Sequence, residues 1–227
     1  MSIRMRKNTV QRKNSEYSNM SFKLLVLGDS RIGKTSILER YVNRTFKENY
    51  LVTIGVDIRI KRLKVNDKNL DVYITDTAGE ERFRSISRMS YKGADGILIG
   101  FALNDEKTLE SVNYWIEQIY ENKGKDSNVS LVLFGNKCDD KGHLIPEEEI
   151  QKINAEYKLK YFSTSAKDNI NIQELFEYLI KDTIMKKGLL NNINSMDDII
   201  ITEREKDKIE NIKKVKINKP QKKKSFC

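Results

Sequence analysis

Nine consecutive residues, Gly28-Asp29-Ser30-Arg31-Ile32-Gly33-Lys34-Thr35-Ser36, carry the spacing of two glycines, a lysine and a hydroxyl that a phosphate cradle requires. Gly28 and Gly33 let the backbone turn tightly and aim the N–H groups of the Asp29–Ser36 stretch inward. With the positive end of the helix that follows, those groups surround phosphate oxygens. Lys34 adds a mobile point charge for β and γ phosphates, and the Thr35 hydroxyl can ligate Mg²⁺.

A second segment, Asp76-Thr77-Ala78-Gly79, follows an apolar strand and places a carboxylate where it can hold Mg²⁺ through water. The Gly79 N–H is suited to a γ-phosphate oxygen. Between the two segments runs a long connection with Phe46, Tyr50 and Thr53, long enough to wrap a nucleotide and bring the Thr53 hydroxyl to the metal. A loop threonine also caps or turns backbone on its own account, so Thr53 alone is a weak signal.

Two further motifs address the base. Asn136-Lys137-Cys138-Asp139 and Ser165-Ala166-Lys167 each come straight after a strand, at the strand ends where open α/β sheets bind ligands. Asp139 can accept from the N1–H and 2-amino groups of guanine. Adenine offers neither donor and would leave the carboxylate unpaired. The Lys137 stem can lie over the base, Asn136 can tie its loop to the phosphate loop, and the Ala166 N–H can meet the guanine O6. Cys138 reads as small packing.

These motifs need a scaffold that presents several strand ends together. Apolar strands are expected at Phe22–Leu27, Ile58–Val65, Asp71–Thr75, Ile97–Leu103, Val129–Gly135 and Lys160–Ser163, alternating with helices that start near Lys34, Arg84, Lys107, Pro146 and Ile172. That alternation is how a parallel sheet covered by helices on both faces reads. The polar link Asn66-Asp67-Lys68-Asn69 is too short for a crossover helix, so the second and third strands form an antiparallel hairpin. Residues 21–187 make one domain, flanked by a basic extension at 1–20 and a tail at 188–227 whose composition does not offset the entropy of ordering.

The net charge of +9 resides in the ends. Residues 1–20 carry +4 and residues 205–227 carry +6, which leaves −1 for everything between. A basic face for reading grooves is therefore not expected, and nucleic acid is not an expected partner. The apolar runs fall far short of the ~20 residues that a bilayer crossing needs. No signal peptide is visible, and two distant cysteines form neither a disulfide framework nor a metal cluster, which places the chain in the cytosol.

Taken in order, GDSRIGKTS, TIGVD, DTAGEERF, GNKCD and TSAK resemble a small GTPase of the Ras superfamily over residues 20–185. Ile54-Gly55-Val56-Asp57, Glu81-Arg82-Phe83, Tyr91-Lys92-Gly93-Ala94 and Trp115 resemble the Rab branch most. The resemblance implies a P-loop NTPase three-layer fold, with a six-stranded, mostly parallel sheet, one antiparallel edge strand and five helices. It implies a monomer that cycles between GTP and GDP, binds effectors through switch segments at 47–57 and 77–92, and works in membrane traffic. The implied partners include an exchange factor, a GTPase-activating protein, an escort protein or GDI and a prenyltransferase. It also implies that Phe46 packs edge-on against guanine. Cys227, behind Lys222-Lys223-Lys224, would carry a prenyl group, so that one lipid and a basic run hold the chain peripherally on the cytosolic face of a membrane.

Three departures matter. Where most relatives carry glutamine to orient the attacking water, this chain has Glu80, which accepts a proton but cannot donate one to the transition state. Arg31 stands in the phosphate loop at a position usually small, either as a charge clamp or simply facing solvent. The usual aromatic effector platform is replaced by Ile58, Thr75 and Ser90. The catalytic set is thus Lys34, Thr53 and Glu80, with slow hydrolysis in the absence of an activator. The alternative is a GTP-binding scaffold with negligible turnover because of Glu80 and Arg31. Single-turnover hydrolysis by Glu80→Gln is expected to differ from the parent, and equal rates would remove Glu80 from the chemistry.

Overall fold

A computed structural model of the chain describes residues 20–48, 56–66, 68–77, 90–91, 93–125, 127–142, 144–191 and 194–203. Strand β1 (Met20–Gly28) leads into α1 (Lys34–Asn43), and the hairpin β2 (Val56–Val65) and β3 (Lys68–Thr77) follows. Then come β4 (Gly96–Ala102), α2 (Glu106–Lys123), β5 (Ser130–Asn136), α3 (Glu147–Tyr157), β6 (Lys160–Ser163) and α4 (Ile172–Lys187). A 3₁₀ turn at Met196–Asp198 precedes a last short strand, β7 (Ile201–Glu203). The sheet order is β6-β5-β4-β1-β3-β2-β7. Strands β3, β1, β4, β5 and β6 run parallel, and β2 is antiparallel to β3.

The central strands are apolar throughout because both of their faces are covered. Every residue of β4 is buried, as expected of a parallel strand between two helical layers. Alternation sorts the side chains into two cores. Leu24 and Val26 of β1 join Val72, Ile74, Phe134 and the inner face of α4 on one side. Leu25 and Leu27 join Ile97, Ile99 and α2 on the other.

Helix α4 shows why the layers hold. Its buried residues Ile172, Leu175, Phe176, Leu179, Ile180, Thr183 and Ile184 recur at the spacing of one helical face. The ring of Phe176 stacks on that of Tyr41 in α1, with centroids 3.9 Å apart. The helix stops at Gly188, a left-handed C-cap at φ 59° whose N–H reaches back to Met185.

The expected α/β architecture is present, with two differences in the inventory. Four α-helices occur among the described residues, and the helix expected near Arg84 lies outside them. The sheet has seven strands where six were expected, because the chain beyond Lys187 does not all remain a tail. Leu189 and Leu190 pack against the first core, Ile199 is 1% exposed in it, and β7 pairs antiparallel with β2. β7 therefore covers only the Leu63–Val65 end of β2, and the rest of β2 remains the edge among the described residues. In the run Ile199-Ile200-Ile201, Ile199 enters the core, Ile200 is exposed and Ile201 opens the pairing with β2.

Phe176→Ala removes both a fully buried ring and its stack on Tyr41. It is expected to lower unfolding stability by about 3–5 kcal/mol in chemical denaturation.

Candidate functional site

The loop between β1 and α1 is built on two positive-φ glycines, Gly28 at 137° and Gly33 at 97°. Gly33 is required twice over, since a Cβ there would lie 2.3 Å from Asn136 Nδ2. Lys34 opens α1 and is 5% exposed. Its Nζ donates to the carbonyls of Gly28 at 3.0 Å and Asp29 at 2.8 Å, which holds the ammonium over the mouth of the loop. Burial pushes this ammonium down to about 8, against the opposing pull of Asp76 and Asp29. A cation under such desolvation gains from any anion brought beside it.

Next to it, the Thr35 hydroxyl donates to Asp76 Oδ2 at 2.6 Å. Asp76 is 1% exposed, and its other oxygen, Oδ1, is buried with no hydrogen-bond partner. Burial pushes its carboxyl upward, an effect that the Thr35 hydroxyl and Lys34 only partly offset. A threonine hydroxyl beside an orphaned carboxylate oxygen is a hard-oxygen donor pair that fits Mg²⁺, and a divalent cation would hold the carboxyl ionised.

The base side is tied to the phosphate side through Asn136 at the end of β5. Its Nδ2 donates to Ile32 O at 2.7 Å, and its Oδ1 accepts from Ala166 N–H at 3.2 Å. One amide thus bridges the phosphate loop and the Ser165-Ala166-Lys167 segment. The Ala166 N–H, expected to face a base, is here directed at Asn136. Asp139 is half-buried and accepts from Ser165 Oγ at 2.6 Å, while Ser165 Oγ itself accepts from Asp168 N–H at 2.9 Å. That chain fixes the direction of the carboxylate. Lys137, at φ 71°, turns the backbone between the two side chains.

The structure brings together Asp29, Ser30, Arg31, Ile32, Gly33, Lys34, Thr35, Ser36, Asp76, Asn136, Asp139, Ser165 and Ala166 at the C-terminal ends of the parallel strands. Arg31 is exposed on the turn. Tyr50, Thr53, Gly79, Glu80 and Cys227 lie outside the described residues.

Two supporting side chains escaped sequence reasoning as site residues. Arg40 on α1 donates to the carbonyls of Ala166 at 2.8 Å and Lys167 at 2.7 Å, and its guanidinium lies 5.8 Å from the ring centroid of Phe46. Trp115 of α2 donates its indole N–H to Asp29 Oδ1 at 2.9 Å. Nothing in the local pattern marks Arg40, whose targets at Ala166 and Lys167 are 126 and 127 residues away.

The sequence is matched in known proteins. Residues 23–185 match the Ras family. The chain belongs to that family. It is 38% identical over 168 residues to Ras-related protein Rab-13 of Bos taurus, covering 74% of this chain and 82% of that one. It is 36% identical over 180 residues to Ras-related protein Rab-8 of Diplobatis ommata, covering 79% and 85%. To Ras-related protein Rab-10 of the same organism it is 37% identical over 169 residues, covering 74% and 84%. As a Rab-like small GTPase of the Ras family, the chain contains the sheet, the phosphate loop and the base motifs within its matched residues. Segment β7 lies beyond them.

Lys34 supplies a direct test. A phosphate beside it restores the proton that burial weakens. Nucleotide binding at about pH 8.5 is therefore expected to take up roughly half a proton or more, and affinity to weaken as pH climbs through about 8. Calorimetry in buffers of different ionisation enthalpy reads the uptake, and Lys34→Met is expected to abolish it.

Proposed function

We propose that the chain is a guanine-nucleotide switch that binds GTP and GDP with Mg²⁺, hydrolyses GTP slowly by itself, and recruits effectors in membrane traffic. The observation that carries this reading is the Asn136 bridge, which joins a buried, phosphate-ready lysine to an oriented carboxylate within one rigid frame.

Each residue has a separable task. Backbone N–H groups of the Asp29–Ser36 loop and the Lys34 ammonium hold the phosphates. Thr35 and Asp76 would hold the metal, with Thr53 as a further donor. Magnesium, when bound, neutralises charge on the β- and γ-phosphate oxygens. Asp139, aimed by Ser165, selects guanine because adenine leaves it without a donor. Gly79 and Glu80 belong beside the γ-phosphate, where Glu80 can accept from the attacking water but cannot donate. An activating protein would then supply the missing donor in trans.

The membrane part of the reading rests on resemblance, on Cys227 and on the basic residues 205–227. Among the described residues, no helix is long and apolar enough to cross a membrane. An exchange factor, an escort protein and a prenyltransferase are the partner classes that such a cycle needs.

Binding of GTP, GDP and ATP to the purified chain tests the core of the proposal. Guanine nucleotides are expected to bind at least about a thousandfold more tightly than ATP, given the cost of an unpaired polar group in such a site. Asp139→Asn is expected to lose GTP and to gain xanthosine triphosphate, which presents an acceptor where guanine presents its 2-amino donor. Equal uptake of adenine and guanine nucleotides by the parent would sink the assignment.

A further inference from the structure

Beyond the family-matched residues, the last described residue, Glu203, sits in an ion cluster. β7 pairs Ile201 with Val65, Thr202 with Lys64 and Glu203 with Leu63. Three features upstream define its approach. Asp198 Oδ2 accepts from the N–H groups of Asn194 at 3.0 Å and Ser195 at 2.9 Å, and closes a capping box on the 3₁₀ turn. Asn66, at the β2–β3 turn, donates its backbone N–H to Ile200 O at 3.2 Å and accepts the Ile200 N–H at 2.8 Å. Its side-chain amide donates to Asp198 O at 2.9 Å. Ile199 then inserts into the core.

At the end of the segment, Glu203 Oε1 accepts from Lys61 Nζ at 2.6 Å and Oε2 accepts from Arg44 Nη2 at 2.9 Å. The Lys61 side chain is 6% exposed and that of Glu203 13%, so this is a largely desolvated pair. Burial pushes the Glu203 carboxyl up, but Lys61 and Arg44 outweigh it and hold the group below its ordinary range. Lys61 Nζ also donates to Tyr41 O at 3.3 Å and lies 5.1 Å from the Tyr41 ring centroid.

The two cations stand on different elements. Arg44 is the C-cap of α1, and Lys61 belongs to β2. The connection between those elements contains Phe46, Tyr50 and Thr53, and α1 itself begins at Lys34 and Thr35. One carboxylate from the C-terminal segment therefore ties the C-terminal end of α1 to the middle of β2, the two elements that the 45–55 connection joins. Taking it away leaves the Lys61 ammonium in the interior without its counter-ion, a costly arrangement that favours loosening of β2 against α1.

We propose that residues 194–203 form a strap built into the switch, with Glu203 as a positioning residue that ties α1 to β2, the elements flanking the 45–55 connection, and thereby slows nucleotide release. The proposal rests on the guanine-nucleotide reading above. It has a geometric corollary for the tail. β7 runs antiparallel to β2 and so points toward the start of β2, the end of the sheet where Asp76 lies. Only 23 residues lie between Glu203 and Cys227, a span of at most ~85 Å.

The test uses the full chain, loaded with fluorescent GDP. Deuterium uptake across 196–203, the GDP dissociation rate and the denaturant midpoint are compared in the parent, Glu203→Gln and Glu203→Lys. Both variants are expected to raise uptake across 196–203 and to speed GDP release, by about fivefold or more for Glu203→Lys, with Glu203→Asp nearer the parent. Coupling is reciprocal, so GDP is expected to slow uptake in the same segment of the parent. Faster uptake with GDP release within about twofold of the parent would reduce β7 to a mere edge strand and overturn the proposal. Uptake in the parent as fast as in a free peptide would overturn the strap itself. If Glu203→Lys fails to fold, Glu203→Gln carries the comparison. A parent that holds no guanine nucleotide would end the functional reading and the coupling together, while slow uptake across 196–203 would still register the strap.

Discussion

An ammonium group withdrawn from water is the constraint around which this fold is arranged. Lys34 is kept at the end of β1 by two backbone carbonyls, and those carbonyls are available because Gly28 begins a turn that no side-chain-bearing residue adopts without strain. Desolvation on that scale is tolerable in a stable domain only where compensating charge is close, and Asp76 supplies part of it. Placing Asp76 there requires β3 to lie parallel to β1 with Val26 opposite Asp76. The parallel centre of the sheet and the phosphate site are thus one requirement seen from two directions.

The second constraint is rigidity between the two halves of the site. Asn136 and Arg40 each reach across the chain to backbone groups, and side chains that bind backbone fix loops that have no regular ladder of their own. With Asp139 held by Ser165, the carboxylate proposed to read the base has its direction set in advance. Preorganisation of this kind lowers the entropy lost on binding.

Much of this was legible in the sequence, for reasons that differ by residue. The phosphate loop could be read because its glycines and lysine answer to backbone geometry, which leaves little choice of residue. The expected bounds of β6 at Lys160–Ser163, the end of β2 at Val65 and the start of α1 at Lys34 agree with the structure, and the other strand ends lie one to three residues away. Arg40 could not be read, since its partners are distant in sequence and any polar side chain suits an exposed helical face. β7 was hidden by averaging. Over residues 188–227 the composition is too polar to order, yet three adjacent isoleucines need only an open strand edge to settle on. An ordering signal a few residues long disappears in a window of forty.

Trp115 is the chain's single tryptophan, and its indole N–H is hydrogen-bonded to Asp29 in the loop that would cradle phosphate. Indole emission shifts with the polarity and hydrogen bonding around that nitrogen. The protein therefore has an intrinsic optical reporter wired to its nucleotide loop, one whose signal comes from a single ring and needs no dye or label to interpret.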